Sequence, residues 1–297
     1  MKKYRSYVLP VAIVLGLLLH RWCAMFSFLV PYIIFCILLL TFCSVDLRRL
    51  RMSSLNIWLM LFQLVVSIGS FVILRLLGVN MIVAEGILIG VLCPVASSVA
   101  VISCMLGANR ETVTTYTIVG NLMVAVAAPV IFTAIGVHPE LSFIDSFWLI
   151  LKKIGPTLAF PFFIALLLQL IWPKANDAIA GINGLGFYLW SFALLFTLGQ
   201  TIDFIFLHGD GNWVYIAWLG AASLLFCIVQ FGFGRWLGRR YGDIVSGGQL
   251  LGQKNTAMGI WMANTFLHPL ASVFMAFYSI FQNVFNSWQL WHYNRKK

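Results

Sequence analysis

Charge is what this sequence has least of. Asp, Glu, Lys and Arg make up 9% of its 297 residues, against roughly 25% in soluble domains, while 61% are hydrophobic and mean hydropathy is +0.95. A soluble fold of this length could not hide so much apolar surface. The six Cys form no CxxC pair and lie in apolar runs, which excludes a disulfide framework or zinc site and leaves them as small core residues. The five His have no metal-ligand spacing. HExxH, GxSxG and a nucleotide-binding glycine loop are missing and the aspartates are isolated, so no enzyme is expected. Rings of like charge and filter repeats, the marks of a channel, are also missing. So are long linkers and low-complexity stretches, leaving 1–297 as one domain with no obligate protein partner evident.

Long apolar runs are abundant. A bilayer-spanning helix needs about 17–25 residues, and ten such segments can be placed: 6–22, 25–43, 54–77, 81–106, 112–136, 155–172, 186–206, 212–234, 243–266 and 269–291. The expected fold is therefore an all-α integral membrane protein with ten transmembrane helices. MKKYR before an apolar run resembles a signal peptide, yet HRWCAMFS after it offers no small-residue cleavage site, so the first span is expected to be retained. Lys and Arg mark cytoplasmic loops. With the N-terminus inside, MKKYR, DLRRLRM, GANRET, WPKAND, GRWLGRRYGD and NRKK are inside and hold 14 of the 19 basic residues. This predicts a multi-pass protein of the cell (inner) membrane with both termini cytoplasmic. The net charge of +10 then reflects topology, and no nucleic-acid partner is expected. Lys152 and Lys153, in SFWLILKKIG, fit an amphipathic lead-in helix at the interface.

Ten helices divide into two sets of five, about 1–137 and 146–297, and sets of odd number sit in opposite orientations. The fourth span of each set carries a polar interruption: LCPVASSVAVI and GQLLGQKNTAMGI. Paired broken helices in corresponding halves point to a midplane transport site in an inverted-repeat carrier, and helices 4 and 9 are expected to be interrupted and, as the resemblance below implies, to cross. Pro94 and Gly252 are the expected helix breaks. Ser97, Ser98, Asn255 and Thr256 supply donors and acceptors there. The alternative is a pair of kinks stabilised by polar helix contacts. Lys254 lies in the second interruption, where an ammonium costs about 2.5–3.5 kcal/mol unless a cavity or partner receives it. In the fifth span Thr114, Thr117 and Asn121 recur three and four residues apart, on one face. They offer hard oxygen ligands for Na⁺, or bonds to neighbouring backbone that tighten packing.

These segments resemble the bile acid:sodium symporter family, whose members have ten helices in two inverted repeats. CPVASSV stands where that family has Pro followed by a Ser-Asn pair, Lys254-Asn255 where it has Gln-Asn, and Gln282-Asn283 in YSIFQNVF where it has His-Asn. Gln63 corresponds to a site Gln. The resemblance covers the layout of the whole chain and is specific only in these segments. It implies that Asn255, Gln282 and Asn283 face a small organic anion. It also implies that Ser97, Ser98, Gln63, Gln253 and the polar face of the fifth helix line sodium sites.

The departures carry more information. Sodium-binding relatives have a Glu four residues before the Gln of the Gln-Asn pair, and that position here is Leu250. One negative charge is lost and one positive gained. A Na⁺ about 4 Å from the ammonium would be repelled by about 4 kcal/mol at an effective dielectric near 20. Two readings follow. Lys254 replaces a coupling cation, so that two-Na⁺ coupling gives way to proton coupling or uniport; or Lys254 neutralises a substrate carboxylate or sulfonate. A third pairs it structurally with Glu85 or Asp203. Na⁺ or H⁺ is thus the candidate coupling ion, and no cofactor or other metal is expected. The rival classes are a cation/proton antiporter of related architecture, which lacks its usual paired carboxylates here, and a non-transporting membrane binding or sensor protein.

Overall fold

The computed structural model describes residues 11, 14–16, 18–47, 50–96, 99, 102–103, 106–137, 140–182, 184–208 and 211–295. Among them there is helix, turn and loop but no named strand. In chain order the helices are α1 His20–Met25, α2 Val30–Cys43, α3 Ser54–Leu76, α4 Met81–Leu92, α5 Arg110–Ala134, α6 Phe143–Leu158, α7 Phe160–Ile171, α8 Pro173–Ala180, α9 Leu185–His208, α10 Trp213–Arg240, α11 Ile244–Gly252, α12 Thr256–Phe266 and α13 Ser272–Arg295.

Among the described residues, four stretches are long and apolar enough to cross a membrane: Ser54–Leu76, Arg110–Ala134, Tyr188–Leu207 and Trp213–Arg240. A fifth is formed if α6 and α7, which bend by 42° at their junction, count as one. These helices carry bilayer-compatible side chains outward: Ile57, Trp58, Leu61, Val65, Ile68 and Val72 of α3 are all exposed. Such large apolar groups facing outward suit lipid, not water. The predicted first span lies in part outside the described residues. The KKIG segment belongs to α6, which buries Ser146, Ile150 and Ile154 on one face and exposes Lys152 and Lys153. Phe143, Ile144, Trp148 and Leu149 are exposed on the same helix.

Sequence explains the ends. Ser53, Asn109, Ser142 and Asp243 each accept a hydrogen bond from an amide in the first turn of α3, α5, α6 and α11. α4 and α11 stop after 12 and 9 residues, about 18 and 14 Å, too short to span. Cys93 precedes Pro94 and takes ψ 135°, the extended conformation that proline imposes on its predecessor.

Two groups of helices pack side by side. α1, α2, α7 and α9 lean on one another, and α3, α4, α10, α11 and α13 do the same. α12 joins them through α9, α13 and α4. Within the second group α10 and α11 approach backbone to backbone at Gly234 and Gly247, where a methyl on either residue would overlap the carbonyl of the other. That contact fixes where the short helix α11 delivers its C-terminus.

Candidate functional site

The two interruptions meet. The chain after α4 and the chain after α11 run antiparallel with Val95 opposite Lys254. The Asn255 amide donates to the Pro94 carbonyl at 2.8 Å and the Ala96 amide to the Gln253 carbonyl at 3.2 Å. Two helices end at this meeting of extended segments, the crossing, so their last carbonyls need partners other than helix amides.

Side chains from three other helices supply them. Gln63 of α3 donates Nε2 to the carbonyls of Leu92 (2.7 Å) and Cys93 (3.1 Å), and its Oε1 accepts from the Tyr116 hydroxyl of α5 at 2.8 Å. Gln230 of α10 donates to the Gly90 carbonyl at 3.5 Å and to the Tyr278 hydroxyl at 3.1 Å. Tyr278 of α13 in turn donates to the Gly252 carbonyl at 2.9 Å. One turn further, Gln282 reads the Lys254 backbone with both ends of its amide, accepting from the N–H at 2.8 Å and donating to the C=O at 3.2 Å. Asn255 begins α12 as its cap, accepting from the Met258 amide at 3.3 Å, while its own carbonyl accepts from the Cys93 thiol at 3.1 Å.

Lys254 lies at the centre. It is 1% exposed, and its Nζ donates to the Val91 carbonyl, 2.9 Å away, in the last turn of α4. The C-terminal end of a helix carries negative partial charge, so an ammonium is favoured there. No described carboxylate pairs with it. The expectation of a structural acid partner is overturned: Glu85 accepts from the His268 amide at 2.9 Å, and Asp203 sits 2.6 Å from His20 Nδ1. Both carboxylates belong to partners near other helix ends.

Leu250, four residues before Lys254, is fully buried among Leu55, Leu59, Val95 and Tyr116. Its surroundings are apolar, so no anion is offered to a cation from this side. Gln253 turns the other way and donates to Gln249, which donates to Gln289 Oε1 of α13 at 2.8 Å. Arg235 donates to the same oxygen at 3.1 Å. A buried row of amides thus leaves the crossing toward the end of α10 that carries Arg239 and Arg240.

The expected site residues divide accordingly. Gln63, Pro94, Gly252, Gln253, Lys254, Asn255 and Gln282 come together at the crossing, with Thr256 opening α12 beside them. Ser97 and Ser98 lie outside the described residues. Asn283 donates to the Ser279 carbonyl of its own helix. Thr117 donates to the Val113 carbonyl and Asn121 to the Thr117 carbonyl, so these groups bond their own helix, and Thr114 is half-buried beside them. Asn121 Oδ1 stays buried without a partner. No group of three or more His, Cys, Asp or Glu that could hold a metal occurs among the described residues.

Tyr116, Gln230, Tyr278, Gln249 and Gln289 belong to the site without being among the expected residues. A signal was present on α13, where Tyr278, Gln282, Asn286 and Gln289 recur at helical spacing in an apolar segment, all buried. No family model matches the chain, and comparison with curated proteins gives no match either.

Proposed function

We propose that this chain is a secondary transporter of a small organic anion, built as ten membrane helices in two inverted repeats. It works by alternating access around the crossing of its fourth and ninth spans, and its own Lys254 ammonium stands in for a coupling cation. The observation that carries the reading is the placement of Lys254. A buried cation with no carboxylate partner among the described residues caps the end of one broken helix, beside the start of a second. Relatives by resemblance hold Na⁺ in this region with the help of a Glu, and here the equivalent position is Leu250 in an apolar cluster. The anion would enter against Asn255, Thr256 and the positive end of α12. The grouping of α1, α2, α7 and α9 apart from the crossing bundle supplies a seam along which two bodies can rock. Basic residues concentrate in segments that this topology places inside, which supports a cell-membrane location with both termini cytoplasmic.

Purified protein in liposomes tests this. Uptake of radiolabelled taurocholate, pantoate and a branched 2-oxo acid is measured with Na⁺ or choline outside. Flux of one class, equal in both cations, is expected. A strict sodium requirement with fixed stoichiometry would overturn the replacement of the cation. Na⁺/H⁺ exchange without any organic anion would assign the chain to the antiporters, and saturable binding without flux would make it a sensor. The Lys254→Gln variant separates the two roles of the ammonium. A new Na⁺ dependence marks it as a cation substitute, and loss of anion affinity alone gives it to the substrate.

A further inference from the structure

We propose that Arg235 and Gln289 form a second anion subsite on the inner side of the crossing, where a small carboxylate cargo pauses between Asn255/Thr256 and the cytoplasm; this rests on the transport reading above. Arg235 lies near the end of α10 and Gln289 toward the end of α13. The basic segments GRWLGRRYGD and NRKK place both ends inside. The guanidinium reaches Gln289 because α11 is bare at Gly248. A methyl there would stand 2.5 Å from Arg235 Cγ, so glycine leaves the room in which the arginine stem lies across the helix.

The direction of the amides fixes what this place offers. Arg235 and Gln249 Nε2 both donate to one end of Gln289, at 3.1 and 2.8 Å, so that end is the oxygen and the other is Nε2. Gln249 in turn accepts from Gln253 Nε2. From the crossing toward the inner side the three amides run head to tail, each N–H aimed at the next oxygen. In such a chain each bond polarises the one after it. The row ends on Gln289 Nε2, which is shielded from solvent without a hydrogen-bond partner, on a side chain only 4% exposed. A buried donor without an acceptor is costly. Here it belongs to the same amide that holds a guanidinium. Asn286, one turn earlier on α13, has an unpartnered Oδ1 that does not bond Nε2.

Charge points the same way. The bond to Gln289 engages one of the five N–H groups of Arg235. Among the described residues no carboxylate pairs with it. Asp243, the acid nearest in sequence, gives Oδ1 to the Ser246 amide at 3.1 Å. The three glutamines are neutral, so the cluster carries the single positive charge of Arg235, with donors in excess of acceptors. Its chemical complement is an acceptor with two oxygens and one negative charge. A carboxylate answers that description, one oxygen on the guanidinium and the other on Nε2. Arg239, one turn beyond Arg235 and exposed, extends the positive field to inner water and concentrates anions at this mouth. Cargo leaving the positive end of α12 thus passes from one cationic neighbour, Lys254, to another, with N–H donors between them.

Two readouts on the full chain test the subsite. Nitrogen NMR of ¹⁵N-arginine-labelled protein in nanodiscs follows the Arg235 guanidinium, assigned by its loss in Arg235→Lys. Pantoate or 3-methyl-2-oxobutanoate is added, with sodium chloride of equal ionic strength as the control. The signal should shift saturably with either carboxylate and stay still with chloride. Gln289→Glu keeps an oxygen for Gln249, replaces Nε2 by a second oxygen and pairs with Arg235 from within. Carboxylate binding read at the same guanidinium should weaken roughly tenfold or more in that variant, and liposome uptake of the radiolabelled acids should fall with it. A guanidinium that ignores carboxylates, or binding as tight in Gln289→Glu as in wild type, overturns the subsite. Binding lost in Gln289→Glu with uptake unchanged overturns its place on the path. If wild type moves no anion at all, the transport reading fails, and the NMR titration still decides whether Arg235 and Gln289 take a carboxylate.

Discussion

Replacing Lys254 by Met should make the protein more stable and inactive. Met fills much of the same space without the charge. Two terms compete. The Val91 carbonyl loses its partner, and a buried acceptor left alone costs about 1–3 kcal/mol. Against this, the substitution removes an ammonium that is 1% exposed and has no described acid partner, worth about 2.5–3.5 kcal/mol on membrane insertion scales. The balance favours Met by about 1 kcal/mol. For a chain of this size that raises the unfolding midpoint by about 2 °C. Intrinsic fluorescence of the 11 Trp residues during heating in detergent gives the readout, and liposome uptake gives the activity. A fall in midpoint of several degrees would refute the reasoning. It would mean that the group at 254 is held as a neutral donor whose main effect is to satisfy Val91.

Other substitutions test the rest of the crossing. Gln63→Leu strips the partner from the Leu92 and Cys93 carbonyls and the Tyr116 hydroxyl together, so a loss of about 3 kcal/mol or more is expected in the same melt. Gly247→Ala should cost about 1–3 kcal/mol by forcing α11 away from Gly234, with a lower yield of monodisperse protein on size-exclusion chromatography. The pair Leu250→Glu with Lys254→Gln should give a protein stabilised by Na⁺, by about 2.7 kcal/mol at a hundredfold excess over Kd, whereas wild-type melts match in Na⁺ and K⁺. Gln282→Ala should destabilise by about 2 kcal/mol, since it frees both the N–H and the C=O of Lys254, and Gln282→Glu should restore only the acceptor half.

Much of this was legible in the sequence because membrane folding leaves few options for polar groups. Pro94 and the GQKNT segment announce themselves as interruptions in apolar runs, and the helices do end at Leu92 and Gly252. What sequence could not supply was direction. Thr114, Thr117 and Asn121 share a face as expected, yet Thr117 and Asn121 bond their own helix, since a carbonyl four residues back is always within reach of a short side chain. Tyr116, which breaks that polar pattern, is the residue that reaches Gln63. Glu85 and Asp203 are candidate partners for Lys254 by sequence because they are acids in an apolar chain. Their engagement with the His268 amide and with His20 depends on how helices distant in sequence pack, which spacing does not reveal.

The amide clamp of Gln63, Gln230 and Gln282 has a consequence for the resting protein. Every carbonyl these side chains hold at the crossing is satisfied from within, so the assembled site needs no ion from the buffer to keep its shape. On the transport reading proposed above, such a carrier has an empty state that already holds its shape. Its unloaded return stroke need not wait for a cation to bind, and net movement of cargo becomes as accessible to it as one-for-one swapping.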